Sequence, residues 1–327
     1  MKTKILKILR NSKGYVSGQE MCEQLHVSRT AVWKVMNQLK EEGYVIEAVS
    51  NRGYQLIESP DTVTDYEVLS QMKTKVIGQK VVYFDTTDST NQQAKIIAEE
   101  KESHGILVTA EVQNSGRGRR GRTWLSPRGT GIWMSLVLKP TLAPENASML
   151  TLVTALAIVK AMEENTNLSP KIKWPNDIIL NGRKVCGILT EMSSELDYIH
   201  YIIVGIGING NTEAFEDEIA KVATSIKIEQ GTSVNRSAII AAVMATFEEY
   251  YERFLETNDL SQLKEEYNSY LVHKGVKVRI LNGAEEYEAT ALGIDERGEL
   301  VVECLDRSIK KVRSGEVSVR GINGYAE

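Results

Sequence analysis

The first 60 residues arrange apolar and polar positions in a way that predicts three helices followed by a hairpin. Apolar residues recur at helical spacing over residues 4–10. A serine followed three positions later by glutamate opens a second helix over residues 17–25, and a further serine can cap a third over residues 28–42. Strand-like stretches on either side of residues 50–53 complete the pattern of a winged helix-turn-helix.

The third predicted helix separates an apolar face from a polar one. Val32, Val35 and Leu39 share the apolar face. The polar face carries donors, a cation and an aromatic ring at Arg29, Thr30, Trp33, Lys34 and Asn37. Such a face suits the major groove of operator DNA, and Arg52 at the wing could contact a phosphate. The alternative is a small helical module that contacts only protein.

Charge along the chain favours DNA binding. Residues 1–60 hold nine Lys/Arg and six Asp/Glu, a net of +3, whereas the whole chain is −5, so the remainder is −8. A basic segment on an acidic body is typical of a piece that meets a polyanion. Pro60 and its polar neighbours mark a linker, which predicts a first domain over residues 1–60.

Strand-like and helix-like stretches alternate from residue 65 to about residue 270, which predicts a mixed-sheet α/β domain over residues 61–271. The expected strands are 81–84, 106–111, 131–138, 172–174, 177–180, 184–191 and 198–206. The expected helices are 92–101, 148–164, 235–255 and 260–270. The second of these helices is apolar nearly all round and should be buried.

Short alternating stretches after this domain predict a small β-barrel over residues 272–327, so that the whole chain is expected to be α+β. The expected strands are 276–280, 287–294, 300–304 and 309–312. Asn282-Gly283 between the first two is a type I′ hairpin signal.

Composition excludes several classes of protein. The apolar stretch 150–162 is too short to span a bilayer, and the N-terminal residues lack the apolar core of a signal peptide, so we expect a cytoplasmic protein without membrane contact. Cys22, Cys186 and Cys304 are far apart, which argues against disulfides and structural zinc. They are expected to be small buried hydrophobes.

Residues 115–124, Ser-Gly-Arg-Gly-Arg-Arg-Gly-Arg-Thr-Trp, combine four arginines with three glycines. Glycine lets the backbone approach a ligand and arginine binds phosphate or carboxylate, so this arginine loop indicates an anionic small molecule. Its glycines match G-x-G-x-x-G, as do those of 205–210, but turn residues and a polar acidic stretch follow instead of a helix. Nicotinamide or flavin binding is therefore disfavoured. A solvated basic turn or an RNA-binding patch is the alternative.

Two further segments carry candidate chemistry. Residues 173–177, Lys-Trp-Pro-Asn-Asp, interrupt two apolar strands, and Asn176 and Asp177 could hold either the turn or a ligand. Asp177 could also help to place Mg²⁺ through water. Lys184 enters the next strand and is a candidate clamp for phosphate or carboxylate beside the arginine loop.

These motifs together resemble those of biotin–protein ligases. The segments 88–91, 113–122, 173–177, 183–187 and 205–209 occur in the order and spacing of that family. With the winged helix ahead of them, the chain resembles the bifunctional biotin operon repressor and biotin–[acetyl-CoA-carboxylase] ligases of bacteria over essentially its whole length. The resemblance implies a central domain of the class II synthetase-like type and an SH3-like C-terminal barrel.

The resemblance also implies a reaction. Biotin and ATP give biotinyl-5′-adenylate and pyrophosphate, and biotin then passes to one lysine of a biotin carboxyl carrier protein. The implied biotin contacts are Ser89, Thr90, Asn91, Gln113, Arg117, Gly118, Arg119, Lys184 and Gly187. The implied adenylate contacts are Arg119, Arg122, Trp124, Asn176, Asp177 and Asn209. Lys184, Arg117 and Arg119, together with Mg²⁺, would neutralise the repulsion between the carboxylate and the α-phosphate.

Regulation follows from the same resemblance. The adenylate is expected to favour a homodimer that places two winged helices on a two-fold symmetric operator. Two other functions remain open at this point: a ligand-sensing repressor without ligase activity, and a ligase whose N-terminal module does not bind DNA. A lipoate-type ligase would use the same chemistry, but the arginine loop argues against it.

Overall fold

The computed structural model describes residues 1–282, 285–314 and 317–321. The winged helix-turn-helix is present. Its elements are α1 Lys2–Asn11, α2 Gly18–Leu25, α3 Arg29–Glu41, β1 Val45–Val49 and β2 Gly53–Glu58. The predicted caps are confirmed, since the hydroxyl of Ser17 accepts from the amide of Glu20 at 3.0 Å and that of Ser28 accepts from Ala31 at 3.2 Å. This module has an apolar core of its own.

The central domain is built on a mixed sheet with helices on both faces. Its first elements are α4 Asp65–Gln71, β3 Val81–Thr87, α5 Thr90–Ala98, β4 Leu107–Gln113, β5 Gly131–Leu138, α6 Met149–Asn165 and β6 Lys171–Lys173. Its later elements are β7 Asp177–Leu180, β8 Arg183–Ser194, β9 Ile199–Asn209, α7 Asp217–Ala220, α8 Ile226–Gln230, α9 Arg236–Thr257 and α10 Lys264–Tyr270. Each predicted strand and helix is found, with shifts of a few residues at the ends.

Within the described ranges the central sheet has the strand order β3-β4-β5-β9-β8-β7-β6. β3 and β4 are parallel and each remaining pair is antiparallel. In the middle of this sheet β5 pairs with β9, although β6, β7 and β8 lie between them in the sequence. As a result β9 lies beside β5, which follows the arginine loop, and β8 is the next strand along.

The predicted buried helix is α6, and twelve of its residues are buried. It packs with α9 on one face of the sheet, and α5 covers the other face. The apolar stretch 150–162 lies within a longer helical segment, Pro144–Asn165, whose 22 residues are, by length and composition alone, enough to cross a membrane. In its most apolar window 72% is buried inside the protein, which is the environment of a core helix.

The C-terminal strands form an antiparallel sheet. They are β10 Lys277–Asn282, β11 Glu285–Ile294, β12 Leu300–Cys304, β13 Ile309–Val312 and β14 Val317–Gly321. Across the described residues their order is β13-β12-β11-β10-β14. The predicted turn at Asn282-Gly283 lies partly outside the described residues, because Gly283 is not among them. The buried side of this sheet joins the core of the central domain rather than forming a separate one.

Helix α4 connects the winged helix to the central domain. Its Glu67 is fully buried and accepts hydrogen bonds from Arg10 Nη2 at 2.5 Å, Tyr44 Oη at 2.6 Å and Ser237 Oγ at 3.1 Å. Arg10 and Tyr44 belong to the winged helix, and Ser237 lies in the first turn of α9. One buried carboxylate therefore ties both domains to the linker.

Candidate active site

Two adjoining cavities, of about 50 and about 440 Å³, lie over the β8–β9 part of the central sheet in the described chain. All nine predicted biotin contacts line the smaller cavity, and all six predicted adenylate contacts line the larger one. The residues that line both are Gly118, Arg119, Trp124, Asn176 and Lys184. The structure thus gathers residues that are up to 120 positions apart in the chain into one continuous site.

A chain of polar side chains crosses the floor of the smaller cavity. Gln113 Oε1 accepts from both the amide of Thr90 at 2.8 Å and its hydroxyl at 3.0 Å. Gln113 Nε2 in turn donates to Ser126 Oγ at 2.8 Å. Ser135 Oγ lies 2.7 Å from Thr90 Oγ1 and completes the chain from the buried strand β5. These bonds orient the Gln113 amide, with its oxygen toward Thr90 and its N–H toward Ser126.

Asn91 supports this floor through its whole amide. Its Nδ2 donates to Glu191 Oε2 at 2.7 Å and its Oδ1 accepts from Ser135 at 2.6 Å. Lys95 Nζ lies 2.6 Å from the other oxygen of Glu191. Thr90 and Asn91 form the first turn of α5, two residues earlier than the sequence predicted. Asn91 is thus held by protein partners while it lines the smaller cavity, so its place there is fixed before any ligand binds.

Ser135 and Glu191 were missed in the sequence. Ser135 had a signal, because it is a lone hydroxyl in the otherwise apolar strand 131–138. A buried hydroxyl needs a partner, so its presence there indicates a polar group across the interface. Glu191 gave no such signal, because its partner Asn91 is 100 residues away in the chain.

The arginine loop is a small hairpin and not the start of a helix. Gly118 donates to the carbonyl of Arg122 at 2.7 Å, and Trp124 donates to that of Gly116 at 2.9 Å. A Cβ at Gly116 would lie 2.3 Å from the carbonyl oxygen of Trp124, so residue 116 must be glycine. Arg120 turns the chain with a φ of 57°. The helix that a dinucleotide fingerprint requires follows neither glycine motif in the described chain.

Arg119 of this loop is anchored through both terminal nitrogens of its guanidinium. Its Nη1 donates to Asn176 Oδ1 at 2.7 Å and its Nη2 donates to the carbonyl of Ser314 at 2.6 Å. Burial lowers the pKa of Arg119, and the charge of Asp177 opposes that change. The arginine loop, the Lys173–Asp177 turn and the C-terminal sheet therefore meet at one guanidinium. Arg117 and Arg122 extend from the same loop and are exposed.

Lys184 lies between the two cavities. Its Nζ is 2.6 Å from Asp177 Oδ1 and 5.1 Å from the centre of the Trp124 ring. The Trp124 ring rests on the backbone of β8 and β9, because a Cβ at Gly187 or Gly207 would lie 2.9 Å or 2.7 Å from it. The indole N–H of Trp124 is buried and has no hydrogen-bond partner among the described residues. The cation of Lys184 and the ring of Trp124 thus lie together at the junction of the cavities.

The larger cavity has an apolar wall from the segment after β9. Phe215, Ile219, Val222 and Ala223 line it. Asn209 Nδ2 donates to the carbonyl of Thr224 at 3.0 Å and so holds this segment to the end of β9. The sequence of this segment showed only a polar, acidic stretch. Its apolar residues follow neither the periodicity of a helix nor that of a strand, so they did not predict a wall.

Comparisons with known proteins agree with this arrangement. A family model described as the biotin/lipoate A/B protein ligase family matches residues 83–209, an HTH domain model matches residues 2–55, and a biotin protein ligase C-terminal domain model matches residues 273–320. The bifunctional ligase/repressor BirA of Bacillus subtilis is 39% identical over 309 residues, covering 93% of this chain and 94% of that protein. The chain belongs to the BirA family of bifunctional ligase/repressors.

More distant members agree over the same length. BirA of Escherichia coli is 29% identical over 317 residues, which cover 97% of this chain and 96% of that protein. Among solved structures, the biotin protein ligase from Aquifex aeolicus in complex with biotin and ATP superposes with a TM-score of 0.66 at 31% identity. It covers 74% of this chain and 99% of its own length.

The winged helix of this BirA-family chain presents most of its predicted DNA contacts to solvent. Arg29, Thr30, Trp33 and Lys34 on α3 are exposed, and Trp33 is 58% exposed, which is unusual for a tryptophan. Asn37 is half-buried, because it lies nearer to the side of α3 that packs inward. Arg52 in the hairpin turn is exposed and its guanidinium lies 4.3 Å over the ring of Tyr15.

Cys186, next to Gly187 of the site, is not activated as a nucleophile in this family member. Cys186 on β8 is buried, and burial raises the pKa of its thiol far above the usual range. Cys22 and Cys304 are partly exposed, so the expectation that all three cysteines are buried was wrong for these two. Among the residues described, no group of three or more His, Cys, Asp and Glu could hold a metal ion.

Proposed function

We propose that this protein is an ATP-dependent biotin–protein ligase that is also a transcriptional repressor of biotin genes. It joins biotin to AMP, with release of pyrophosphate, and then transfers biotin to a lysine of a biotin carboxyl carrier protein. The observation that carries the proposal is the junction of the two cavities, where Lys184 and Arg119 line both. A ligase that joins two anionic substrates needs positive charge where they meet, because that charge reduces their repulsion.

The smaller cavity suits the ureido ring of biotin. The single hydroxyl proton of Thr90 goes to Gln113 or to Ser135, and a remaining lone pair of Thr90 Oγ1 can accept a hydrogen bond from a ligand. Gln113 uses one N–H for Ser126, which leaves the other as a donor. A cyclic urea carries one carbonyl between two N–H groups, so it complements a floor that offers both kinds of group. Ser89 lines the same cavity, and its hydroxyl can either donate or accept a hydrogen bond.

The chemistry at the junction is electrostatic. An oxygen of the biotin carboxylate attacks the α-phosphorus of ATP, and the bond from that phosphorus to the bridging oxygen breaks to release pyrophosphate. Lys184, Arg117 and Arg119 reduce the repulsion between the two anions and stabilise the charge that develops on phosphorus. Gly118 and Gly187 leave room for the backbone to approach the ligand, since both line the cavity.

The larger cavity suits the adenosine half. Its apolar wall and the ring of Trp124 offer two surfaces to a flat base, while Arg122 and Lys173 add positive charge. Asn176, Asp177 and Asn209 line the same cavity and are the polar groups for the ribose and phosphates. The volume of about 440 Å³ is within the usual range for a ligand pocket.

Mg²⁺ would enter with the nucleotide. It prefers one or two carboxylates together with phosphates and water, and Asp177 is the carboxylate that lines the larger cavity. When bound, the ion supplies charge neutralisation at the phosphates. Lys184 is paired with Asp177 in this structure, so the carboxylate is already oriented toward the same place.

In the second step the amine of the acceptor lysine attacks the acyl carbon of the adenylate, and AMP leaves. The protein contributes position and shelter, since an activated anhydride hydrolyses in water. The arginine loop is the element that would close over it, through the contacts of Arg119 with Asn176 and Ser314.

The repressor function uses the exposed face of α3. We propose that adenylate favours a homodimer, because a two-fold symmetric operator needs two winged helices at a fixed spacing. Arg29, Thr30, Trp33, Lys34 and Asn37 would enter the major groove, with Arg52 on the backbone. A protein that binds both operator DNA and a metabolic carrier protein acts in the cytoplasm.

The test is biotin-dependent exchange of labelled pyrophosphate into ATP. The wild-type protein should catalyse it with biotin and not with lipoate. Lys184→Ala and Arg119→Ala should lower the rate at least tenfold, because each removes a charge-assisted contact at the junction. Operator binding should strengthen when biotin and ATP are both present.

Each alternative has its own result. Absence of exchange together with biotin-responsive operator binding would identify a sensing repressor. Exchange without any operator binding would identify a ligase whose N-terminal module has lost DNA recognition. Exchange that depends on lipoate would assign the other branch of the matched ligase family.

A further inference from the structure

Glu229 on α8 lies outside both cavities and holds two chain segments together. Its Oε1 accepts from Arg183 Nη2 at 2.6 Å and from Thr224 Oγ1 at 2.5 Å. Its Oε2 accepts from Asn181 Nδ2 at 2.6 Å. Asn181 belongs to the turn between β7 and β8 and Arg183 begins β8, whereas Thr224 follows Val222 and Ala223 in the apolar wall segment of the larger cavity.

The environment of this carboxylate is that of a structural anchor. Its side chain is only 6% exposed, while that of Arg183 is 37% exposed. Burial raises the pKa of Glu229, but the bonds from Thr224 and Asn181 and the charge of Arg183 outweigh burial and lower the pKa overall. A buried carboxylate with three donors holds its partners in fixed positions.

The two segments that Glu229 joins meet at Lys184. The amide of Lys184 donates to the carbonyl of Val222 at 2.8 Å, and the amide of Thr224 donates to the carbonyl of Lys184 at 2.8 Å. The backbone of Lys184 is thus clamped between the residues that flank Ala223. Val222 and Ala223 line the larger cavity, while Lys184 lines both cavities.

We propose that Glu229 is a positioning residue, which holds the apolar wall segment of the larger cavity and Lys184 in a fixed arrangement. The inference rests on the proposed ligase function. Through its bonds to Thr224 and Arg183, Glu229 holds residues 222–224 against β8. The position of Lys184 therefore depends on the position of the apolar wall segment. The polar floor of the biotin cavity is built on α5, β4 and β5, which Glu229 does not touch, although Lys184 of β8 lines this cavity as well.

This arrangement predicts a selective defect. Glu229→Gln keeps the shape of the side chain but removes its charge, which weakens the bond from Arg183. The new amide N–H of the glutamine also faces one of the N–H or O–H groups that now donate to the carboxylate. The KM for ATP should rise about tenfold, whereas the dissociation constant for biotin alone should rise by a clearly smaller factor, because the polar floor of the biotin cavity does not contact Glu229. A residue that only stabilised the fold would change both constants together.

Thr224→Val is the second variant, because it removes the bond to the wall segment without touching Arg183 or Asn181. It should raise the KM for ATP in the same direction by a smaller factor. Glu213→Gln is the matched control. Glu213 lies on the same segment and pairs with Lys227 at 2.7 Å, but it is exposed and has no contact with the strand of Lys184. It should change neither constant by more than about twofold.

The measurements are pyrophosphate exchange for the KM of ATP and calorimetry for biotin, with thermal unfolding of each variant. A selective rise in the KM of ATP for Glu229→Gln and Thr224→Val, with the control unchanged, supports the inference. Equal changes in both constants, or none, overturn it while wild-type exchange still upholds the ligase. A wild-type protein without exchange overturns the proposed function, and this inference with it.

Discussion

Gly205 shows how one missing side chain shapes the biotin cavity. A Cβ on this residue would lie 2.2 Å from Asn91 Oδ1, in the position that the amide now occupies. Asn91 is fixed by Ser135 and Glu191, so it could not give way without breaking the polar floor. This contact accounts for one glycine of the second G-x-G-x-x-G pattern without any dinucleotide.

We therefore expect Gly205→Ala to weaken biotin binding by about tenfold or more, because an overpacked site forces its neighbours to move. Titration of biotin by calorimetry measures the effect. Gly210→Ala is the control, since a Cβ there meets its nearest neighbour at 3.6 Å, an ordinary contact. Equal affinities for the two variants would mean that Asn91 can reposition at no cost.

His273 allows a prediction about pH. It is fully buried between α10 and β10, and burial with the charge of Lys173 lowers its pKa to about 4. The unfolded chain takes up this proton near pH 6.5 and the folded protein only near pH 4. Between these values the unfolded state binds more protons, so this residue lowers the stability as the pH falls from about 6.5 to about 4.

From pH 7.5 to 5.5, His273→Leu should lose about 1 kcal/mol less of its unfolding free energy than the wild type does. Urea denaturation at the two pH values measures the difference. Some pH dependence should remain, because burial also lowers the pKa of His104. His200→Gln, at an exposed position, should behave as the wild type. A variant with the full wild-type loss would contradict the assignment.

At the level of secondary structure, the sequence predicted the elements whose signals are local. α2 and α3 begin where Ser17 and Ser28 cap them, and β5 and β7 have their predicted ends. The short helices α4, α7 and α8 were missed, because four to seven residues have little periodicity and depend on tertiary contacts. The outline of the central sheet was therefore predictable, whereas the wall around the nucleotide was not.

The candidate site divides in the same way. Residues of the biotin and adenylate motifs were predicted because their types and spacings are distinctive. Their supports were not, because Glu191, Ser135 and Glu229 act through partners that are distant in the sequence or carry no motif. Asn91 illustrates the difference. Its place at the cavity was predicted, but its hydrogen bonds to Glu191 and Ser135 were not.

The recognition helix α3 supports a prediction about DNA affinity. Lys34 is exposed on the face that carries Trp33, so it is available to a phosphate. Lys34→Ala should weaken binding to a mixed-sequence duplex and reduce the slope of log K against log salt by about 1. Fluorescence anisotropy over a salt series measures it. Lys34→Arg should keep the slope, and an unchanged slope for the alanine variant would place Lys34 away from DNA.

For the whole molecule, the contacts of the linker decide where the catalytic unit begins. Arg236 is 1% exposed and its guanidinium pairs with Asp61 at 2.9 Å and with Glu111 on β4 at 3.0 Å. Val63 is fully buried, and its amide donates to Glu111 Oε1 at 3.2 Å. Residues just after Pro60 thus belong to the core that supports β4, the strand that ends at Gln113.

Two shortened chains, of residues 61–327 and 65–327, test this boundary. Both lose Arg10 and Tyr44, the winged-helix partners of Glu67, so the difference between them reports only residues 61–64. The longer chain should retain pyrophosphate exchange and lose operator binding. The shorter chain should be less stable by about 3 kcal/mol, because Arg236 and Glu111 keep their charges in the core without Asp61 and without the packing of Val63. Urea denaturation measures this, and equal stabilities would move the boundary beyond residue 64.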